Sequence, residues 1–348
     1  MDTGAGNDMT GNKATTKPAP RDPRVPVIVV TGFLGSGKTT LLSRVLSTPE
    51  LSNSLMIVNE IGEIGIDHHL LEQSDDRTVL LDNGCLCCQL RGDLQELLVD
   101  ITMRRRRGEL PGFDRVFIET SGLAEPGPVA QTLYSDAPLA RDYRLAHVVA
   151  LVDASNASGR AAAREIASRQ VAAADLVIVS KSDRASQDQV TETLDWINTI
   201  NGYARCEVAS HGAIPTELLA GVSPFAWQSP TETKQGGYLG KYFTPHPRDV
   251  TSFALTFDEP PPRALFQEFI DVLVRLRGAD LLRVKGILHF EGESAPVLVQ
   301  GVCHVFDKHV ALASNASAPA KSTLVFIVRA LRRAQIESLW HSLHSLSR

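Results

Sequence analysis

The run Gly32-Phe33-Leu34-Gly35-Ser36-Gly37-Lys38-Thr39 satisfies GxxxxGK[ST] in full. An apolar β-branched run at 25–31 precedes it, and Leu41, Leu42, Val45 and Leu46 follow at helical spacing, which is the strand-loop-helix setting the motif requires. Glycines there let backbone N–H groups converge on phosphate oxygens, a lysine neutralises the β- and γ-phosphate charge, and a threonine hydroxyl ligates Mg²⁺. The predicted nucleotide contacts are Gly32, Gly35, Ser36, Gly37, Lys38, Thr39 and Thr40. A chance glycine-rich turn is the plain alternative, and the flanking strand and helix patterns weigh against it.

Two further segments complete a nucleotide site. The apolar run 116–118 ends in Glu119, followed by Thr120-Ser121-Gly122. A carboxylate at the carboxyl end of a buried strand, downstream of a phosphate loop, is placed to join Thr39 in holding magnesium. Gly122 can bring a backbone N–H against a γ-phosphate. Lys38, Thr39 and Glu119 are therefore the predicted catalytic set. The run 176–179 leads into Ser180-Lys181-Ser182-Asp183, close to the NKxD signature of guanine readers. A carboxylate at Asp183 accepts from guanine N1–H and the 2-amino group, and the Lys181 stem can cover the base. Ser180 stands where the signature has Asn and is expected to make fewer contacts; the plain alternative is a polar turn with a capping Asp.

The thiols add a different chemistry. Gly84-Cys85-Leu86-Cys87-Cys88 offers three soft ligands in four residues, between the phosphate loop and Glu119. Three thiolates supply most of a tetrahedral shell for Zn²⁺ or another thiophilic metal such as Co²⁺ or Ni²⁺. Glu60, Glu63, His68 and His69 are candidates for the remaining ligand, as are water or a partner protein. Buried structural cysteines are the alternative. Cys206 and Cys303 lie in strand-like runs and read as core, as do His147, His289 and His304.

These residues need a scaffold, and 348 residues suffice for roughly two domains. The formal net charge of −5 gives no broad basic surface for nucleic acid or an anionic membrane. Five cysteines, three of them crowded together, argue for thiols in a reducing, cytoplasmic setting rather than a disulfide scaffold. No apolar run approaches the ~18 residues of a membrane span. Residues 1–24 are too polar to offset ordering entropy and read as a disordered tail. Between 25 and 208, apolar runs at 25–31, 55–58, 78–81, 116–118, 148–152, 176–179 and 206–208 alternate with helical patterns. Such runs suit strands buried on both faces, so 25–222 reads as an α/β domain with a mostly parallel sheet. Leu94, Leu97, Leu98 and Ile101 mark one helix, with Arg104–Arg107 as favourable cations at its carboxyl end rather than a docking patch. Residues 223–248 read as a linker, and 249–348 as a smaller α+β domain with a helix across 265–276, strands at 282–290, 297–302 and 324–328, and a last helix near 332–346.

Taken together, residues 32–40 (GFLGSGKTT), 59–67 (NEIGEIGID), 84–88 (GCLCC), 118–126 (IETSGLAEP) and 180–183 (SKSD) resemble the CobW-type P-loop GTPases, a metallochaperone group. The similarity continues through 280–286 and 297–306, in what looks like that family's C-terminal domain. The resemblance implies that Cys85, Cys87 and Cys88 bind zinc or a similar divalent metal, and that 59–67 is a nucleotide-responsive switch. Ile61 replaces the usual phenylalanine there, and the histidine-rich tract of many members is missing. The function so implied is GTP hydrolysis coupled to metal delivery to a client metalloprotein or the cobalamin pathway. The expected partners are GTP and that client, with a homodimer as a further option and neither nucleic acid nor membrane. A P-loop small-molecule kinase with a structural zinc site is the rival expectation, and a non-hydrolysing switch a third.

Overall fold

A computed structural model describes residues 22–58, 78–80, 89–156, 161–219, 250–312 and 321–347. Seven strands form the first sheet: β1 (Val25–Gly32), β2 (Ser54–Val58), β3 (Thr78–Leu80), β4 (Arg115–Glu119), β5 (Tyr143–Asp153), β6 (Leu176–Ser180) and β7 (Arg205–Val208). Their order is β3-β2-β4-β1-β5-β6-β7, and every pairing is parallel. Helices α1 (Lys38–Leu46), α2 (Gln89–Arg106), α3 (Gly127–Ser135), α4 (Ala137–Asp142), α5 (Ala161–Ala173) and α6 (Gln187–Asn201) connect them.

The alternation of side chains along a strand explains the layering. Val27 and Val29 of β1 join Ile118, Leu98, Leu133 and Val177 in one core, while Ile28 and Val30 join Leu41, Leu42, Phe117 and Ile178 in another. Consecutive residues thus bury on opposite faces, which is why the sequence shows continuous apolar runs. The chain moves to β4 on one side of β1 and to β5 on the other, so a crevice opens at the strands' carboxyl ends, where such folds bind ligands. β5 is longer than the expected 148–152, because Tyr143 and Leu145 are also buried and extend its pairing with β1. His147 lies within that extension.

The second sheet is antiparallel. Strands β8 (Val250–Phe257), β9 (Leu281–Leu288), β10 (Val297–Val302), β11 (Val305–Phe306) and β13 (Ser322–Arg329) run in the order β11-β10-β9-β13-β8, with β12 (Val310–Ala311) also on β10. Helices α7 (Arg263–Arg277) and α8 (Arg333–Leu346) cover one face, where Phe266, Phe269, Phe326 and the partly buried Trp340 pack. Leu282, Val302, Val325 and Ile327 on the other face join the core of the first domain. That face also carries polar ties: Arg283 Nη2 and Lys285 Nζ donate to Asp175 Oδ1 (2.5 and 2.8 Å), and Gln300 Nε2 donates to the Leu145 carbonyl (3.0 Å).

Three details differ from the sequence reading. Arg24, placed in the tail, bonds Asp307 of the second domain at 2.9 Å, so ion pairing orders residues too polar to order by burial. Cys303 sits in the β10–β11 turn at φ 53° rather than in a strand, and burial pushes its thiol up to about 11. β7 is an edge strand with an exposed Val208. The arginines at the end of α2 are engaged locally, Arg106 with Asp142 and Arg105 over the Phe113 ring. Among the described residues no helix is long and apolar enough to cross a membrane.

Candidate functional site

The phosphate loop leaves β1 at Gly32 and returns at Lys38, the first residue of α1. Gly35 (φ 71°) and Gly37 (φ 94°) take left-handed conformations that L side chains resist. Gly37 caps α1 without any side-chain hydrogen bond, so the helix's first N–H groups stay available to an anion. Lys38 is nearly buried, and its Nζ donates to the Gly32 carbonyl (2.9 Å) across the loop. The loop floors a pocket of ≈ 470 Å³ that is also lined by Thr39, Thr40, Glu119, Gly122, Ser180, Lys181, Asp183 and His211. Segments far apart in sequence therefore meet at one place.

Thr39 Oγ1 donates to Glu119 Oε1 at 2.7 Å, and Glu119 is 5 % exposed. A hydroxyl and a carboxylate, both hard oxygen donors at the foot of a phosphate loop, suit magnesium, which keeps a few protein ligands and fills its shell with water and phosphate. The donor set thus fits that ion. Beyond Glu119, Thr120 Oγ1 bonds Thr31 Oγ1 (3.0 Å), and the turn passes against the phosphate loop. A Cβ on Gly122 would lie 2.6 Å from the Leu34 nitrogen, so only glycine permits this approach.

In the 180–183 loop, Lys181 adopts φ 56° and its Nζ donates to Asp153 Oδ2 (2.7 Å), which lays the aliphatic stem along the pocket. Burial alone would raise the Asp153 pKa, but the bonds from Lys181 and Ser155 hold it below the ordinary range. The His211 N–H donates to Asp183 Oδ1 (3.1 Å) and is the main cause of that carboxylate's lowered pKa, reinforced by the His211 ring and Arg184. Arg44 of α1 donates to the His211 carbonyl, which fastens this turn to the helix of the phosphate loop. Ser180, expected to do less than an Asn, donates to the Ser36 carbonyl (2.7 Å) and reaches the Val152 carbonyl (3.3 Å). It ties the 180–183 loop directly to the phosphate loop.

The structure therefore brings together Gly32, Gly35, Ser36, Gly37, Lys38, Thr39, Thr40, Glu119, Gly122, Ser180, Lys181 and Asp183. Cys85, Cys87, Cys88, Glu60, Glu63, His68, His69 and the segment 223–248 lie outside the described residues. Asp153 and His211 escaped the sequence reading. Asp153 carries a signal of its own, an acidic residue ending the strand next to that of Ser180, whereas His211 reaches the pocket only through the fold.

Comparison with known proteins bears on both domains. The model of the CobW/HypB/UreG nucleotide-binding domain matches residues 26–206, and that of the cobalamin synthesis protein cobW C-terminal domain matches 250–344. The zinc chaperone YjiA of Escherichia coli is 30% identical over 319 residues, 92% of this chain and 98% of its own. The zinc chaperone CobW of Pseudomonas aeruginosa is 31% identical over 349 residues, 90% of each chain. The crystal structure of the Zn(II)-bound E. coli YjiA GTPase aligns with a TM-score of 0.65 at 28% identity, covering 92% of this chain and 99% of its own.

Proposed function

Because this chain belongs to the CobW/HypB/UreG family, we propose that it is a GTPase that binds zinc at Cys85, Cys87 and Cys88 and couples the nucleotide cycle to delivery of that metal to a client metalloprotein. One observation carries the coupling. Val58, the last residue of β2, pairs with Glu119 in one direction and Leu80, the last residue of β3, in the other. The chain segments that follow these two strands, 59–77 and 81–88, hold Glu60, Glu63 and the thiols. Val58 and Leu80, the strand ends that precede them, lie about one and two strand spacings, ~5 and ~10 Å, from Glu119. Metal ligands rooted there feel whatever the γ-phosphate does to that end of the sheet, and reciprocity follows.

Hydrolysis requires a water oxygen to bond the γ-phosphorus while the bond to the β–γ bridging oxygen breaks and GDP leaves. Lys38 turns from the Gly32 carbonyl toward the β- and γ-oxygens, where its charge offsets theirs. The N–H groups at the head of α1 hold the phosphates in place. Magnesium, held by Thr39 and Glu119 when bound, supplies further neutralisation of phosphate charge. Asp183 and the Lys181 stem orient guanine, and Ser180 keeps base and phosphate halves in register. Among the described residues that line the pocket there is no glutamine, and the one arginine, Arg184, pairs with Asp183, so slow intrinsic turnover is expected. The rival kinase reading gains nothing from relatives named as zinc chaperones and a GTPase.

The test is phosphate release from GTP and ATP by metal-free protein with Mg²⁺, beside Lys38→Ala. GTP is expected to be preferred and the variant inactive. Equal use of ATP, a phosphorylated small-molecule product, or a rate that survives Lys38→Ala would overturn the reading.

A further inference from the structure

The turn after Glu119 has its own support, contributed by α5 on the far side of the phosphate loop. Gln170 is 1 % exposed, and its Nε2 donates to the carbonyls of Ala124 (3.0 Å) and Gly122 (3.3 Å). The residue before it, Arg169, bonds Glu125 at 2.7 Å through Nη1. Two consecutive side chains of one helix thus grip the carbonyls of Gly122 and Ala124 and the carboxylate of Glu125. Nothing in the nucleotide-binding signatures demands either of them.

The bond to the Gly122 carbonyl fixes one peptide of a turn already pressed on Leu34. A peptide plane held by its oxygen also holds the direction of the N–H that shares it, here that of Leu123, whose own bond to Ser121 Oγ is long at 3.5 Å. The Gln170 Oε1 is buried with no hydrogen-bond partner among the described residues. A buried amide that leaves one acceptor unsatisfied is costly, and such groups are retained where they hold something in place or serve a second state. The same turn leads straight into α3, whose first residue, Gly127, lies against Cys303 of the C-terminal domain. Just past Gln170, α5 ends at Ala173 and leads to Asp175, which Arg283 and Lys285 of that domain hold. The latch is therefore seated on elements that the second domain clamps from both sides.

We propose that Gln170 is a positioning residue for GTP hydrolysis: it holds the Gly122–Ala124 turn, whose Ala124 N–H is already bonded to the Ser121 carbonyl (3.0 Å), against the phosphate loop so that the Gly122 and Leu123 N–H groups meet the γ-phosphate, with the Arg169–Glu125 pair as its second point of attachment. The inference rests on the GTPase reading above. It requires Gln170 to matter for what distinguishes GTP from GDP, and to leave contacts with base, ribose and β-phosphate alone. A role confined to packing would instead lower stability and both nucleotide affinities together.

The experiment uses the full chain with Gln170→Met, which keeps the volume and removes the donor, and Arg169→Gln, which loosens the same turn from a partly exposed site. Affinities for GDP and for a non-hydrolysable GTP analogue are read by fluorescent-nucleotide displacement, beside kcat and KM for GTP. The expected result for Gln170→Met is GDP affinity within about twofold of wild type, analogue affinity reduced about fivefold or more, and kcat reduced about tenfold or more. Arg169→Gln should move the analogue-to-GDP ratio in the same direction, by less, and serves alone if Gln170→Met does not fold. An unchanged ratio and kcat, or equal losses for GDP and the analogue, would overturn the assignment. Wild-type protein no faster than Lys38→Ala would instead sink the GTPase reading, and this inference with it, before any Gln170 variant is compared.

Discussion

Replacing Asp175 by Asn probes the seam that makes two sheets one body. Its Oδ1 accepts from Arg283 and Lys285, which are 3 % and 7 % exposed, and its Oδ2 accepts from the Val148 N–H (2.9 Å). The two cations outweigh the burial penalty and hold the carboxyl well below its usual range. Asparagine preserves the bond to Val148 but takes the shared carboxylate away from Arg283 and from Lys285, whose ammonium burial already pulls down to about 8. Breaking a buried pair in this way costs about 3–5 kcal/mol. With a urea slope of about 2–3 kcal/mol/M, the unfolding midpoint should fall by roughly 1–2 M. Adding Arg283→Met and Lys285→Met to Asp175→Leu should recover much of the loss, because an apolar set of similar volume is often neutral.

His147 supplies the pH dependence of the same seam. Burial pushes its imidazole down to about 4 against the pull of Asp175, with Lys285, Arg144 and Arg283 pushing the same way as burial. The unfolded chain takes up this proton near pH 6.5 and the folded one near 4, so stability falls as pH drops through that window. The loss is about 2 kcal/mol at pH 5 relative to pH 8, and His147→Asn should remove it. Urea titrations at both pH values read both effects. A midpoint that moves by less than ~0.3 M in Asp175→Asn, where about 3–5 kcal/mol is expected, would show that these ions do not hold the two sheets together.

Three substitutions address the pocket. Asp183→Asn should weaken GTP binding at least about a hundredfold while ATP binding stays put, because a site built to accept two N–H groups then meets them with a donor; displacement titrations with GTP, ATP and XTP check it, XTP being the expected gainer. Ser180→Ala removes the bond to Ser36 and about 1 kcal/mol, so GDP and GTP affinities should both fall roughly fivefold in the same titration. Gly122→Ala places a methyl 2.6 Å from the Leu34 nitrogen; kcat for GTP should collapse while GDP binding, which does not need the turn, stays within about threefold, and kinetics beside a GDP titration separate the two.

Much of the architecture is legible in the sequence because its signals are local. The β-branched runs announce buried parallel strands, and the phosphate loop, Glu119 and the SKSD tetrapeptide each declare themselves by type and position. What the sequence conceals is contact between distant segments. Nothing in Ser180 tells that its hydroxyl would reach the Ser36 carbonyl, so it reads as a weak Asn. Gln170 looks like one polar residue in an ordinary helix, and His211 like a loop histidine, until the fold carries them to Gly122 and Asp183. Cys303 reads as a strand residue because its neighbours are apolar, yet a two-residue reversal places it in a turn at positive φ.

If nucleotide state and metal affinity bias one another, zinc affinity must differ between defined nucleotide states. Zinc is titrated against a chromophoric chelator with Mg²⁺ and either GDP or a non-hydrolysable GTP analogue, for wild type and for a variant with Cys85, Cys87 and Cys88 replaced by Ser. Zinc affinities are expected to differ at least about fivefold between the two states, with zinc shifting the analogue-to-GDP affinity ratio by the same factor, and no such coupling is expected without the thiols. Equal zinc affinity in both states, or coupling that survives removal of the three cysteines, would contradict it.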